Sequence, residues 1–131
     1  MKGKVSHVED LRFRGTMDGH EIILDDGTRA LSPMQTLLLS LATCTAMDVW
    51  YIMVKKRQPI TNLEVEVEGE RREEHPKMFK RVRLEYIFEG DVNEEACRQA
   101  IDLSLQKYCS ISCMVRETAT VESSYRIVRN P

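Results

Sequence analysis

The chain has 131 residues, 42% of them apolar and 31% charged, with a formal net charge of −2. That length suits one domain, expected over residues 1–131, with a core that needs no staples. The near-neutral charge gives no reason to expect nucleic acid or an anionic membrane surface as a partner.

The opening MKGKVSHVEDLRFRG lacks the apolar core and small-residue cleavage site of a secretory leader, which points to a cytoplasmic location. Thiols there stay reduced, and functional disulfides tend to be catalytic or redox-sensing. The four cysteines, Cys44, Cys97, Cys109 and Cys113, form no CxxC. His7, His20 and His75 lie far apart. Neither set has metal-ligand spacing, so no metal or other cofactor is expected.

In chain order, residues 3–26 read as short strands. KVSHV alternates, Leu11 and Phe13 fall on one face, and HEIILD runs into the turn Asp25-Asp26-Gly27-Thr28. Gly15 and Asp18-Gly19 are turn candidates. A long helix starts at Ser32, with Pro33 at its first position and Gln35 completing a capping box. It is expected to end near Lys56 or Arg57, where basic residues suit the negative pole of the helix and Pro59 blocks continuation. Its stretch Leu37 to Val54 just reaches membrane-spanning length. It contains Ser40, Thr43, Thr45 and Asp48, however, and a helix apolar nearly all round is more simply the buried helix of a globular core.

Leu63, Val65 and Val67 then alternate with glutamates, and Val82, Leu84, Tyr86 and Phe88 alternate with mostly polar residues. This predicts an antiparallel hairpin joined through EEHPK, with one wet face. Glu64, Glu66 and Glu68 are placed to pair with Arg81 and Arg83 across it. A second helix follows Asp91, capped by Asn93, with Ala96, Cys97, Ala100, Ile101 and Leu105 on its apolar face. KYCSISC is a connector or a short turn of helix, and a last strand starts from Val115. The whole is an α+β fold with antiparallel sheet, a long buried central helix and a second helix. One small sheet covers such a helix poorly, which hints at a homodimer.

Two local features mark a candidate site. Asp48 lies one turn after Cys44, so both project to one side of the helix. Cys109 sits in the polar stretch Lys107-Tyr108-Cys109-Ser110, off any apolar stripe. A catalytic thiol pair is one reading; two core cysteines with Asp48 at a wet helix edge is the other. Cys97 reads as packing. Cys113, four after Cys109, is either packed under the last strand or a spare resolving thiol.

SPMQTLLLSLATCTAMDV, with LSLQKYCSISC far downstream and the hairpin ERREEHPKMF between them, resembles the OsmC/Ohr family of thiol peroxidases, in its YhfA-like branch. The resemblance covers nearly the whole chain. It implies an intertwined α+β homodimer with the long helix at its centre. It also implies reduction of organic hydroperoxides, with Cys44 matching the peroxidatic and Cys109 the resolving cysteine, and with an external dithiol as reductant. The hydroperoxide-reductase branch also uses an arginine from the N-terminal strands and a glutamate ten residues before the reactive cysteine. Met34 and Met17 stand at the matching positions. Arg14 is the nearest candidate cation, and Asp48 is either its carboxylate partner or a hydrogen-bonding neighbour. The departure leaves room for a different use of the same fold, a non-enzymatic binder of small molecules or a redox sensor. A purely structural role for all four cysteines is the third reading.

Overall fold

Alternation at the start of the chain yields three strands, β1 (Gly3–Glu9), β2 (Arg12–Met17) and β3 (His20–Leu24), paired antiparallel in that order. A computed structural model describes residues 1–129. The chain divides into two compact units, Met1–Leu37 and Leu38–Pro131. In the first unit, Asp18 and Gly19 both take positive φ, 50° and 81°, between Met17 and His20, which pair across the turn. Two left-handed residues in a row match the right-handed twist of the flanking strands, and the Asp-Gly sequence supplies them. Leu11 falls in the β1–β2 turn beside Asp10 (φ 45°), so it does not share a strand face with Phe13 as its spacing predicts.

Helix α1 (Pro33–Lys55) bears out the capping box. Gln35 N–H donates to Ser32 Oγ at 3.2 Å, and Ser32 N–H donates to Gln35 Oε1 at 2.9 Å. At the other end Arg57 adopts φ 57°, with Arg57 N–H bonded to the Val54 carbonyl at 2.9 Å and Gln58 N–H to the Met53 carbonyl at 3.0 Å. This is a Schellman stop, built on an arginine where glycine is usual. By length and composition α1 could cross a membrane. Its buried positions are Leu41, Ala42, Thr45, Val49 and Met53, a single helical stripe packed into the protein. The expectation of burial all round is therefore corrected for the single chain. Leu39, Met47, Trp50, Tyr51 and Val54 on the remaining faces are exposed.

The second unit holds the predicted hairpin, β4 (Ile60–Arg71) against β5 (Phe79–Gly90). Val82, Leu84, Tyr86 and Phe88 are essentially inaccessible, as alternation requires. Of the expected cross-strand ion pairs, Glu68 meets Arg83 at 3.1 Å, and Arg81 lies 3.8 Å from Glu70. Glu64 and Glu66 stand opposite Ile87 and Glu85 instead.

Beyond β5 the chain runs through α2 (Glu94–Leu103), a π-helical turn (Ser104–Tyr108) and α3 (Ser110–Val115) into β6 (Thr120–Val128). Asn93 caps α2 by accepting from Ala96 N–H at 3.1 Å. β6 pairs with β5 in parallel, in the order β4-β5-β6. The sheet is therefore mixed, not antiparallel as expected. The helical crossover explains it: it carries the chain back along the sheet before the last strand begins, which is the connection a parallel pair needs.

Candidate functional site

Cys44 and Asp48 leave the same face of α1 one turn apart, and Cys109 arrives from the crossover. The two sulfurs and a carboxylate oxygen of Asp48 all lie within 4.8 Å of one another. Sixty-five positions of sequence separate the cysteines, and the hairpin between them is what folds the crossover back onto α1.

The π-helical turn sets Cys109. Its N–H bonds to the Ser104 carbonyl five residues back, at 2.7 Å. The wide turn ends the helical run, and Cys109 takes an extended conformation (φ −77°, ψ 100°) as the cap of α3. In that role its sulfur accepts from Ser112 N–H at 3.4 Å, and Ser112 Oγ donates to its carbonyl at 3.0 Å. Single π turns inside helices are common at functional sites. Cys109 is fully buried and Cys44 half-buried.

Behind the trio runs a chain of buried hydroxyls. Ser104 Oγ donates to Asp48 Oδ2 at 3.0 Å. Thr45 Oγ1 lies 2.7 Å from Ser104 Oγ and 2.8 Å from the Tyr86 hydroxyl. Each hydroxyl has one proton. Ser104 spends its proton on Asp48, so Thr45 donates to Ser104 and Tyr86 donates to Thr45. The chain thus points one way, from the sheet to the carboxylate. Thr45, Ser104 and Tyr86 are inaccessible to solvent, and among the described residues no buried side-chain polar atom lacks a partner. Burial pushes the Tyr86 phenol up to about 12.

The Cys44 thiol lies above its ordinary value of 9.0. Burial is the main cause, and the hydrogen bond to Cys109 adds to it. The Ile111 N–H acts the other way, while the charges of Cys109 and Asp48 push further up. None of these groups is a cation. Beside Asp48 a cleft of about 510 Å³ opens, lined by Tyr51, Ile52, Leu103 and Tyr108 together with Lys55 and Lys56. A more open groove of about 570 Å³ runs along α1 over Leu63 and Val65 and carries no titratable side chain.

The other candidates make contacts of their own. Arg14 lies on β2 in the first unit, half-exposed, with Nε 3.6 Å from Glu21 Oε2. Cys97 is fully buried on α2, and burial raises its thiol to about 11, which fits packing. Cys113 is exposed on α3 beside Arg116, whose Nη2 lies 3.3 Å from the sulfur. It does not pack under β6. Sequence reasoning missed Thr45, Ser104 and Tyr86. The available signal was Thr45 beside Cys44 in an apolar run, and a tyrosine on the buried face of the hairpin.

Comparison with known proteins places the chain. A family model described as OsmC-like protein matches residues 25–124. Protein YhfA of Escherichia coli is 39% identical over 98% of each chain. A solved structure of a hypothetical protein from Aquifex aeolicus superposes with a TM-score of 0.94 at 31% identity, covering 99% of this chain and 97% of that one. The organic hydroperoxide resistance protein OhrB of Bacillus subtilis shares the fold, with a TM-score of 0.67 at 18% identity over 96% of this chain and 98% of its own. The match across most of the chain, the YhfA identity and the shared fold together make this protein a member of the OsmC-like family.

Proposed function

We propose that the protein is a cytoplasmic, thiol-dependent reductase of organic hydroperoxides. The observation that carries the reading is the meeting of Cys44 and Cys109 within 4.8 Å, close enough for small side-chain rotations to join them. The Cys44 thiolate attacks the terminal peroxide oxygen; the O–O bond breaks and the alcohol leaves with a proton, giving a sulfenic acid. The Cys109 thiol then condenses with it, water leaves, and a disulfide forms. An external dithiol restores both thiols by exchange, ending as a disulfide itself. Kinship to the OsmC-like family, which includes organic hydroperoxide resistance proteins among its solved structures, supports the substrate class. The cleft beside Asp48, with Ile52, Leu103 and two tyrosines in its lining, suits an organic rather than an inorganic peroxide.

In this reading Asp48 positions the site, and Arg14 of β2, paired with Glu21, is the candidate cation for the thiolate. The working form is a homodimer. Val5, Met17 and Ile22 on the first sheet and Met47, Trp50 and Tyr51 on α1 are exposed in the single chain, more apolar surface than a monomer ordinarily leaves wet. The raised Cys44 thiol favours a second reading, a redox sensor that oxidises slowly and is not turned over. A steady-state assay with an organic hydroperoxide and a dithiol separates the two. The first reading expects turnover that Cys44→Ser abolishes, and a Cys44–Cys109 disulfide in peptide maps after one equivalent of peroxide. Turnover undiminished in Cys44→Ser would overturn it.

A further inference from the structure

Three inaccessible hydroxyls are committed to holding the Asp48 carboxylate beside the two thiols, through Ser104 at 3.0 Å. Disulfide chemistry requires two sulfurs and no carboxylate. Two thiols and a carboxylate converge here within 4.8 Å of one another, a donor set of the kind that takes a metal ion.

We propose that the reduced protein binds a thiophilic divalent cation, Zn²⁺ by its chemistry, through Cys44 Sγ, Cys109 Sγ and a carboxylate oxygen of Asp48. The metrics fit. Zinc takes thiolates at about 2.3 Å and carboxylates at about 2.0–2.2 Å, so donors within 4.8 Å of one another need to close by only about 1 Å. Two ligands at i and i+4 on one helix face, with a third from elsewhere, is a recurrent zinc arrangement. Ser104 supplies the outer partner that fixes a ligating carboxylate. Cys44 is half-buried, which leaves the fourth position to water. The mixed sulfur and oxygen set favours Zn²⁺ over Cu(I), which prefers sulfur alone.

Binding expels the thiol protons, so ion and disulfide exclude each other. When an organic hydroperoxide oxidises the pair, the two thiolates give up two electrons and join. The peroxide takes those electrons with two protons, leaving as alcohol and water, and the ion is released.

The metal site itself does not depend on the peroxidase reading. The test is titration of the reduced, metal-stripped full chain with Co²⁺ as a spectroscopic stand-in, followed by displacement with Zn²⁺. The expected result is a thiolate-to-cobalt charge-transfer band saturating at one ion per chain and bleached by Zn²⁺. It should be retained in Cys113→Ser and lost in the disulfide form of the wild-type protein, a control that needs no variant to fold. Ser104→Ala should weaken Co²⁺ by about 10-fold, and Asp48→Asn by more than about 10-fold. Absence of the band, or its persistence in the oxidised protein or in Cys44→Ser/Cys109→Ser, would overturn the site. A peroxide-formed disulfide without a cobalt band refutes the metal site alone. A cobalt band without peroxide turnover supports it and counts against the peroxidase.

Discussion

Asp48 and Cys44 oppose each other at the scale of single residues. Burial, the bond to Cys109 and the neighbouring charges hold the Cys44 thiol above 9.0, so its thiolate is scarce at neutral pH. Its alkylation rate in the metal-free protein should climb about tenfold per pH unit from about pH 7 to beyond pH 9, since only the thiolate reacts. Asp48→Asn removes one of the upward pushes and should move that profile to lower pH; iodoacetamide kinetics followed by peptide mass mapping would read it. A profile unmoved by Asp48→Asn would mean that the carboxylate does not act on Cys44. The trio was legible in sequence as far as helical spacing reaches, which is Cys44 with Asp48. The hydroxyls behind it were not. Thr45 finds Tyr86 and Ser104 at separations of 41 and 59 residues, and a lone serine or threonine on a buried stripe carries no mark of its partner.

Among the elements, α1 was the most legible because its punctuation is local. Ser32, Gln35 and Pro59 announce its ends, and the capping box forms as written. Arg57 is the less expected member, since a residue with a Cβ in the left-handed region costs about 1–2 kcal/mol relative to the right-handed one. Arg57→Gly should therefore raise stability by about 1 kcal/mol in urea unfolding, without changing the fold; a fall in midpoint would show that the side chain makes compensating contacts. The direction of β6 was not legible. Period-two alternation identifies a strand and its inner face, but it is the same whichever way the neighbour runs. Only the crossover through α2 and α3 settles the parallel pairing.

At the scale of the whole molecule, two buried acids link stability to pH. Cys97 rises from 9.0 to about 11 and Tyr86 from 10.0 to about 12, both chiefly through burial. In each case the unfolded chain gives up its proton first. The folded state is thus fully favoured below pH 9.0 and loses ground as pH climbs through these two windows. Denaturant midpoints should be level between about pH 7 and 8 and fall steeply by about pH 11; a flat response would mean that these groups reach water. Assembly is the other property at this scale. Met47 is 67% and Tyr51 63% exposed on the outer face of α1. Light scattering on the purified chain should give twice the mass of one chain, and Met47→Asp should reduce it towards one. A wild-type monomer would leave this apolar face without its proposed partner. Homodimerisation rested on family resemblance and an ill-covered helix, because burial against a second copy leaves no periodic trace in one sequence.

The π-helical turn has a consequence for how such a gene can change. It fits one more residue between Ser104 and Cys109 than a regular helical turn holds, and the ring closed by Cys109 N–H on the Ser104 carbonyl depends on that surplus. Losing a single codon within Ser104–Tyr108 would let the segment relax into ordinary helix. Cys109 would then continue that helix instead of leaving it in the extended conformation that caps α3, and its sulfur would lose the placement that the cap gives it. The segment should accept many substitutions yet tolerate no change in length, so descendants that shorten it would keep the scaffold and abandon its chemistry.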